Sequence, residues 1–213
     1  MSNRSENGIM PAVAKRLRIG VFGGAFDPPH RAHQALVASA LTELALDQLH
    51  VVPTGQAWHK PRHLTAAAHR LAMARLTFAP WPQVKVDDLE INRPGISYTV
   101  DTLRELGRLS PQAQWFLIMG ADQASALTTW REWQEIVQLA TICVAFRADS
   151  TSAHTVFEAQ KLFPERFLQL NMPAMPLSAT QIRATLGVGQ SADGLVTEAV
   201  ARYIADHHLY HSH

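Results

Sequence analysis

Short apolar runs alternate with longer segments of helical periodicity along most of this chain. Runs of strand length fall at residues 19–22, 48–53, 84–86, 114–120, 140–147 and 167–170. Helix formers fill most of the intervals, so strand, helix and strand follow one another as βαβ units. The pattern predicts an α/β fold of Rossmann-like type: a doubly wound parallel sheet flanked by helices, with a small C-terminal helical part from about residue 177.

The first two helices can be predicted in more detail. Helical spacing in the run QALVASALTELAL predicts three residues on the core-facing side of the first helix: Leu36, Ala40 and Leu44. The pattern over residues 65–79 predicts a second helix with Thr65 as its N-cap. Pro80 and Pro82, which follow it, should end this helix.

The two ends of the chain differ from its middle. Residues 1–14 are polar and aperiodic, so we expect a flexible N-terminal tail, followed by one domain over residues 15–213. Residues 197–207 predict a final amphipathic helix. The histidines beyond it, His207, His208, His211 and His213, could suggest a metal site. Because no carboxylates accompany them, they are more typical of a mobile tail.

Composition narrows the function classes. The chain has 213 residues, of which 47% are hydrophobic and 17% charged, with a net charge of +1. These values predict neither intrinsic disorder nor a nucleic-acid partner. The single cysteine excludes an internal disulfide framework, and Cys143 lies in an apolar run typical of a buried thiol. No apolar stretch reaches membrane-spanning length and no secretory signal is recognisable, so we expect a cytoplasmic protein without a membrane partner; a homo-oligomer stays open.

One stretch, RIGVFGGAFDPPHRAH, concentrates residues suited to binding phosphate. A glycine pair follows the first apolar run, and the prolines favour a helix start near His30 or Arg31. His30 and His33 would then lie one turn apart at the positive end of that helix. Helix amides and imidazole N–H groups together bind anions, which predicts a polyphosphate site. The alternative is a tight turn whose histidines cap the helix or lie at the surface.

The same stretch resembles a known signature. GGAFDPPHRAH is similar to the GxFDPxHxGH motif of the nucleotidyltransferase superfamily, with Ala32 in place of a glycine, and LSATQIRATL resembles the second signature, ISSTxIR. The resemblance implies a fold of nucleotidyltransferase type, and His30, His33 and Arg183 as catalytic groups. It implies a larger set of ATP-binding residues: Gly23, Gly24, Ala25, Phe26, His30, His33, Gly120, Asp122, Ser178, Thr180 and Arg183. From local sequence alone, Ser178 is an N-cap with Ile182 and Leu186 buried behind it.

Further segments resemble one member of that superfamily, the nicotinate mononucleotide adenylyltransferase family. EINRPGISYTVDTL is similar to its E-x-x-R-x-G-x-SYT-x-DTL stretch, and TTWREWQEI to its W-x-x-[WY] segment. The resemblance implies that Tyr98 and Thr99 recognise the nicotinate carboxylate and that Trp130 stacks on the pyridine ring. It implies the following mononucleotide-binding residues: His59, Lys60, Tyr98, Thr99, Trp130, Arg131 and Arg147.

Several residues in these segments also have purely structural interpretations. Ser97 is suited to be the N-cap of the helix that follows, and Trp133, at helical spacing from Trp130, is assigned to the core. Asp122 could cap a helix rather than contact ribose hydroxyls. The acidic residues Asp87, Asp88 and Glu90 favour a solvated turn over a metal cluster.

The resemblance implies a reaction. The protein would transfer the adenylyl group of ATP to nicotinate mononucleotide, giving deamido-NAD and pyrophosphate, with Mg²⁺ carried by ATP and no metal site in the protein. Two alternatives stay open: an adenylyltransferase for another small acceptor such as phosphopantetheine, and a nucleotide-binding protein without turnover. A hydride-transfer enzyme is disfavoured, because the glycines lack the GxGxxG spacing.

Overall fold

A six-stranded parallel sheet forms the centre of the protein. The computed structural model describes residues 15–57, 64–147, 157–173 and 175–210. The strands of the sheet are β1 (Arg18–Gly24), β2 (Gln48–Pro53), β4 (Val84–Val86), β6 (Gln114–Gly120), β7 (Thr141–Arg147) and β8 (Phe167–Met172). Their order across the sheet is β4-β2-β1-β6-β7-β8, and every neighbouring pair is parallel. Two short strands, β3 (Gln56–Ala57) and β5 (Ile96–Ser97), pair separately.

Helices connect the strands. In chain order they are α1 (Arg31–Glu43), α2 (Ala67–Phe78), α3 (Leu89–Asn92), α4 (Thr99–Leu109), α5 (Ala121–Ala126), α6 (Trp133–Leu139), α7 (Glu158–Leu162), α8 (Ala179–Gly187) and α9 (Glu198–Asp206). The described part of the chain also contains 3₁₀ turns at Leu127–Thr129 and Pro164–Arg166. None of the described helices combines the length and the apolarity that a membrane span requires.

The sheet is covered on both faces, as predicted. Side chains alternate along β6, so Leu117 and Met119 join one apolar cluster with α4 and α6, while Phe116 and Ile118 join another with α1 and α2. Strands β2 and β4 lie to one side of β1, and β6, β7 and β8 lie to the other. The winding therefore reverses between β1 and β6, and the carboxyl ends of these two strands form the crevice where doubly wound sheets bind ligands.

Most of the predicted elements are confirmed. Strands β2 and β6 have the predicted bounds, and the first helix begins at Arg31 with Leu36, Ala40 and Leu44 buried. Cys143 is fully buried, and burial raises the pKa of its thiol to about 12, so it is the inert core thiol that was predicted.

The predicted cap of α2 is wrong. The N-cap is Ala66, not Thr65. Thr65 is held by other groups: its N–H donates to Asp27 Oδ2 at 3.3 Å, and its carbonyl accepts from Arg70 Nε at 2.9 Å. A local capping rule could not anticipate the contact with Asp27, which lies 38 positions earlier in the chain.

The C-terminal helices pack on α2 rather than on the sheet. Met73 is fully buried in a third apolar cluster with Ile182 and Leu186 of α8 and Val200 and Ile204 of α9. His207 lies against this unit, with its ring centroid 4.1 Å from that of Tyr203 and 5.1 Å from that of His69. It is therefore not part of a mobile tail. His211 and His213 lie outside the described residues, as does the predicted N-terminal tail.

Candidate active site

The loop after β1 is shaped by its glycines and by Phe26. A Cβ built on Gly24 would lie 3.1 Å from the Phe26 ring, whereas one built on Gly23 would meet nothing within 4 Å. Phe26 is buried with a positive φ of 49°, and its ring packs edge-on against Phe22 and His33. Gly24 thus makes room for this ring, and Gly23 leaves open the space above the end of β1.

The two histidines form a compact pair at the start of α1. His30 is the N-cap residue, and its backbone N–H donates to Nδ1 of His33 at 3.1 Å. The two rings stack with centroids 3.8 Å apart and planes inclined by 25°. Because Nδ1 of His33 accepts a hydrogen bond, the neutral ring carries its proton on Nε2, which is a donor.

Some amides at this helix end are already engaged. The His30 N–H goes to His33, and the Arg31 N–H donates to the Leu195 carbonyl at 3.0 Å. The helix N-terminus therefore offers fewer amides to an anion than the sequence suggested, and the imidazole donors gain importance.

Arg183 reaches the same loop from the other end of the chain. Its Nη1 donates to the Asp27 carbonyl at 2.7 Å and its Nη2 to Thr180 Oγ1 at 3.0 Å. Helix α8 presents it from a capped start, since Ser178 Oγ accepts from the Gln181 N–H at 3.2 Å, as predicted. Two hydrogen bonds fix the planar guanidinium before any ligand arrives.

These groups line one cavity at the crevice between β1 and β6. Every predicted ATP-binding residue is among its lining residues: Gly23, Gly24, Ala25, Phe26, His30, His33, Gly120, Asp122, Ser178, Thr180 and Arg183. Asp122 is exposed in the first turn of α5, and the N-cap of that helix is Gly120. Asp122 is therefore not the cap, and its carboxylate is available to a ligand. Ala32 is buried and lines this cavity too.

A second cavity adjoins the first. Four of the predicted mononucleotide-binding residues line it: Tyr98, Thr99, Trp130 and Arg131. The two cavities share Gly23, Gly24 and Ala25 of the β1 loop, and also Gln123. Sequence reasoning missed Gln123, although it follows directly on the GAD segment that was singled out.

The start of α4 differs from the prediction. Its N-cap is Tyr98, and Ser97 belongs to β5, where it pairs with Ala57 of β3. That pairing holds the chain after β2 against the SYT segment. Gly55 makes the approach possible, because a Cβ there would lie only 2.2 Å from the Glu90 carbonyl oxygen.

Glu90 was predicted to lie in a solvated turn, and this is wrong. It is only 7% exposed and lines the second cavity, where Thr102 Oγ1 donates to Oε1 at 2.7 Å. Burial raises the pKa of its carboxyl above the ordinary value. The Asp87 side chain is also largely buried, at 12% exposed, and it pairs with Lys85 at 2.9 Å and His50 at 3.3 Å. Among the described residues, no group of three or more histidine, cysteine or acidic side chains could hold a metal ion.

The two tryptophans do not share a helix. Trp130 follows the 3₁₀ turn in extended conformation, Glu132 has a positive φ of 51°, and α6 begins only at Trp133. This break turns Trp130 toward the second cavity, whereas Trp133 packs edge-on against Phe163, 6.0 Å between centroids, in agreement with its assignment to the core. The Arg131 guanidinium lies over the Tyr98 ring, 4.7 Å from its centroid.

Three further residues were predicted to bind the mononucleotide. Arg147 ends β7 at the same edge of the sheet, and its role stays a prediction. His59 and Lys60 lie outside the described residues.

A buried polar network beneath the loop was not predicted. Asp27 and Arg70 are each 1% exposed. Arg70 donates to the Ala25 carbonyl at 2.9 Å and, at 3.4 Å, to the Gly55 carbonyl, while Asp27 Oδ1 accepts from the Tyr210 hydroxyl at 2.7 Å. Asp27 stood within the recognised FDPP motif, but nothing local linked it to the C-terminus.

Comparison with known proteins places this geometry in a family. The cytidylyltransferase-like family model matches residues 21–185. A probable nicotinate-nucleotide adenylyltransferase of Albidiferax ferrireducens is 61% identical over 193 residues, covering 91% of this chain and 98% of the relative. One of Methylibium petroleiphilum is 43% identical, covering 91% and 92%.

Solved structures agree on the fold. The nicotinic acid mononucleotide adenylyltransferase of Plasmodium falciparum, complexed with NaAD, superposes with a TM-score of 0.74 at 20% identity, covering 92% of this chain and 98% of that one. Two signatures at opposite ends of the sequence meet in one crevice, and relatives match nearly the full length. The chain therefore belongs to the nicotinate-nucleotide adenylyltransferase family of cytidylyltransferase-like proteins.

Proposed function

We propose that this protein transfers the adenylyl group of ATP to nicotinate mononucleotide, giving deamido-NAD and pyrophosphate, as a step of NAD biosynthesis. One observation carries the proposal: the cavity lined by His30, His33 and Arg183 adjoins the cavity lined by Tyr98 and Trp130 at the glycine loop. Two ligands bound there would meet at Gly23 and Gly24. The names of its relatives support the same reaction.

The reaction needs positioned donors more than a base. The phosphate of the mononucleotide is already a competent nucleophile, and it attacks the α-phosphorus of ATP while pyrophosphate leaves in line. Nε2–H of His33 and the His30 ring supply hydrogen bonds to the phosphoryl oxygens, and Arg183 supplies positive charge on the side of the β- and γ-phosphates. Because the Asp27 carbonyl and Thr180 already hold Arg183, little reorganisation is required.

Mg²⁺ enters this proposal as part of the substrate. When bound to ATP, it neutralises charge on the phosphates. Its oxygen ligands would come chiefly from the phosphates and from water.

Selectivity for the acceptor is assigned to the second cavity. The N-terminus of α4, an 11-residue helix, carries Tyr98 and Thr99 at this cavity, and helix amides favour an anionic carboxylate over a neutral carboxamide. Arg131 adds a positive charge over the Tyr98 ring. We therefore assign nicotinate rather than nicotinamide to this site, with Trp130 against the pyridine ring. The cytoplasmic location stays a prediction, and the oligomeric state stays open.

Pyrophosphate release tests the proposal directly. Purified protein would be assayed with Mg-ATP and, in parallel, nicotinate mononucleotide, nicotinamide mononucleotide and phosphopantetheine, with His33→Ala as the control for contaminating enzymes. With Mg-ATP present, we expect rapid pyrophosphate release with nicotinate mononucleotide and not with the other two acceptors. Pyrophosphate release with another acceptor would support the assignment of the ATP site but overturn the assignment of the acceptor. ATP binding without release would favour a nucleotide-binding protein that lacks turnover.

A further inference from the structure

The carboxyl group of Asp27 connects the catalytic loop to the C-terminus. It is buried directly before the Pro28-Pro29-His30 segment. Its Oδ1 accepts a 2.7 Å hydrogen bond from the hydroxyl of Tyr210, which is 183 positions later in the chain. Its Oδ2 accepts from the Thr65 N–H. One buried carboxylate therefore holds three segments together.

The backbone of the same residue holds a proposed catalytic group. The Asp27 carbonyl accepts from Arg183, and three residues later His30 caps α1. Any movement of Asp27 would therefore shift the guanidinium and the imidazole pair together. The donors that must converge on the phosphates depend on where this one residue lies.

Tyr210 is suited to hold Asp27 in place. It lies four residues past the end of α9, packed against the third apolar cluster, and it has a positive φ of 67° that a non-glycine residue seldom adopts. Burial, together with the neighbouring Asp27 carboxylate, raises the pKa of its hydroxyl above the ordinary value. The phenol accordingly stays a hydrogen-bond donor throughout the neutral pH range.

We propose that Tyr210 is a positioning residue of the adenylyl transfer: by donating to the Asp27 carboxylate, it fixes the loop that carries His30 and His33. Tyr210 itself contacts no substrate in this proposal. The inference rests on the proposed function, because its consequence is read in the turnover of ATP and nicotinate mononucleotide.

Tyr210→Phe tests this with a closely matched control. The variant removes only the hydroxyl. Tyr203→Phe removes a different hydroxyl from the same C-terminal unit. That hydroxyl contacts His69 Nδ1 at 2.9 Å and does not contact the loop. We expect Tyr210→Phe to lower kcat about tenfold with KM for ATP changed less than about threefold, and Tyr203→Phe to leave both unchanged. Equal kcat values in the two variants, with melting temperatures matched, would overturn the proposal.

A double-mutant cycle identifies the partner. Asp27→Ala removes the acceptor of the Tyr210 hydroxyl, so kcat should fall in this variant as well. If Tyr210 acts through Asp27, adding Tyr210→Phe to Asp27→Ala should cost less than it costs in the wild-type protein. Fully additive losses would show that Tyr210 acts by another route. Wild-type kcat in a folded Asp27→Ala protein would also overturn the proposal, even if Tyr210→Phe did not fold.

Failure of the proposed function gives a different result. If the wild-type protein released no pyrophosphate with any acceptor, the proposed reaction would be wrong. The contact can still be tested through hydrogen exchange of the amides of residues 24–33, which should be faster in Tyr210→Phe than in Tyr203→Phe. Unchanged exchange would overturn the positioning role independently of activity.

Discussion

The backbone N–H of His30 donates to Nδ1 of His33, and this hydrogen bond fixes how the second imidazole presents itself to a phosphate. With Nδ1 occupied as an acceptor, the neutral His33 ring carries its proton on Nε2. One residue thus completes the helix start through one nitrogen and, in the proposed mechanism, donates to a phosphate through the other. The two roles can be separated by mutation.

His33→Ala removes both roles, whereas His33→Asn keeps an acceptor close to the position of Nδ1. We expect His33→Ala to lower kcat by about 100- to 1,000-fold, the usual cost of losing one preorganised donor. His33→Asn should be equally inactive but should recover part of the roughly 1 kcal/mol of stability lost with the cap. Urea unfolding and pyrophosphate release measure the two effects. Near-normal turnover in a folded His33→Ala protein would contradict the mechanism.

Arg183→Lys tests the value of the guanidinium geometry. A lysine retains the charge but cannot bond the Asp27 carbonyl and Thr180 Oγ1 in the same planar arrangement. Losing a charge-assisted hydrogen bond costs about 1.5–3 kcal/mol, so kcat/KM for ATP should fall about 10- to 100-fold. The control is Arg75→Lys, because Arg75 is 57% exposed and pairs only loosely with Asp88, at 3.7 Å. Equal kcat/KM values in the two variants would show that charge alone suffices.

The buried carboxyl of Glu90 should make the free energy of unfolding depend on pH. Burial raises the pKa of its carboxyl in the folded protein above the ordinary value of 4.5. The folded state therefore holds this proton more tightly than the unfolded chain does, and its contribution to stability is fully present below pH 4.5 and lost as pH rises through the folded pKa. Relative to the wild type, Glu90→Gln should become more stable as pH rises above 4.5, and the difference should level off once pH exceeds the folded pKa. Urea titrations at several pH values measure the difference, in which the other carboxyls cancel. A constant difference would contradict a raised pKa.

Gly55→Ala should be costly for a steric reason. A Cβ there would lie 2.2 Å from the Glu90 carbonyl oxygen, so the backbone must move. We expect a loss of about 1–3 kcal/mol in the free energy of unfolding. Gly107→Ala, in the last turn of α4 with open space around the added Cβ, should instead gain up to about 0.5–1 kcal/mol. If both variants lost stability equally, close approach at Gly55 would not be the cause.

The local sequence pattern was sufficient to predict those elements and caps that depend only on neighbouring residues. The bounds of β2 and β6, the start of α1 and the Ser178 cap all follow from periodicity and capping chemistry over a few residues. The eleven ATP-binding residues came from the family resemblance, and all of them line one cavity at the carboxyl ends of the parallel strands.

The errors arise where distant segments compete for the same group. Ser97 could not be recognised as a strand residue without its partner Ala57, and Glu90 is acidic in sequence but covered by Gly55 and Thr102 in space. The bond between Asp27 and Tyr210 spans almost the whole chain and leaves no periodic signal. Such contacts depend on tertiary packing, which local propensity does not contain.

Trp130 and Trp133 allow a last test. The helical structure is interrupted between them, so the two tryptophans lie in different surroundings. Trp130 lines the second cavity, which is proposed to hold the acceptor. Trp130→Ala should therefore raise KM for nicotinate mononucleotide about 10-fold or more, in line with the roughly 1–3 kcal/mol of a ring stacked on an aromatic side chain, and leave KM for ATP within about twofold. Trp133→Phe should lower the melting temperature without changing either KM, since Trp133 packs on Phe163. Steady-state kinetics with each substrate varied in turn distinguishes the two. A matching rise in both KM values for Trp130→Ala would show general loosening of the crevice instead of stacking on the pyridine ring.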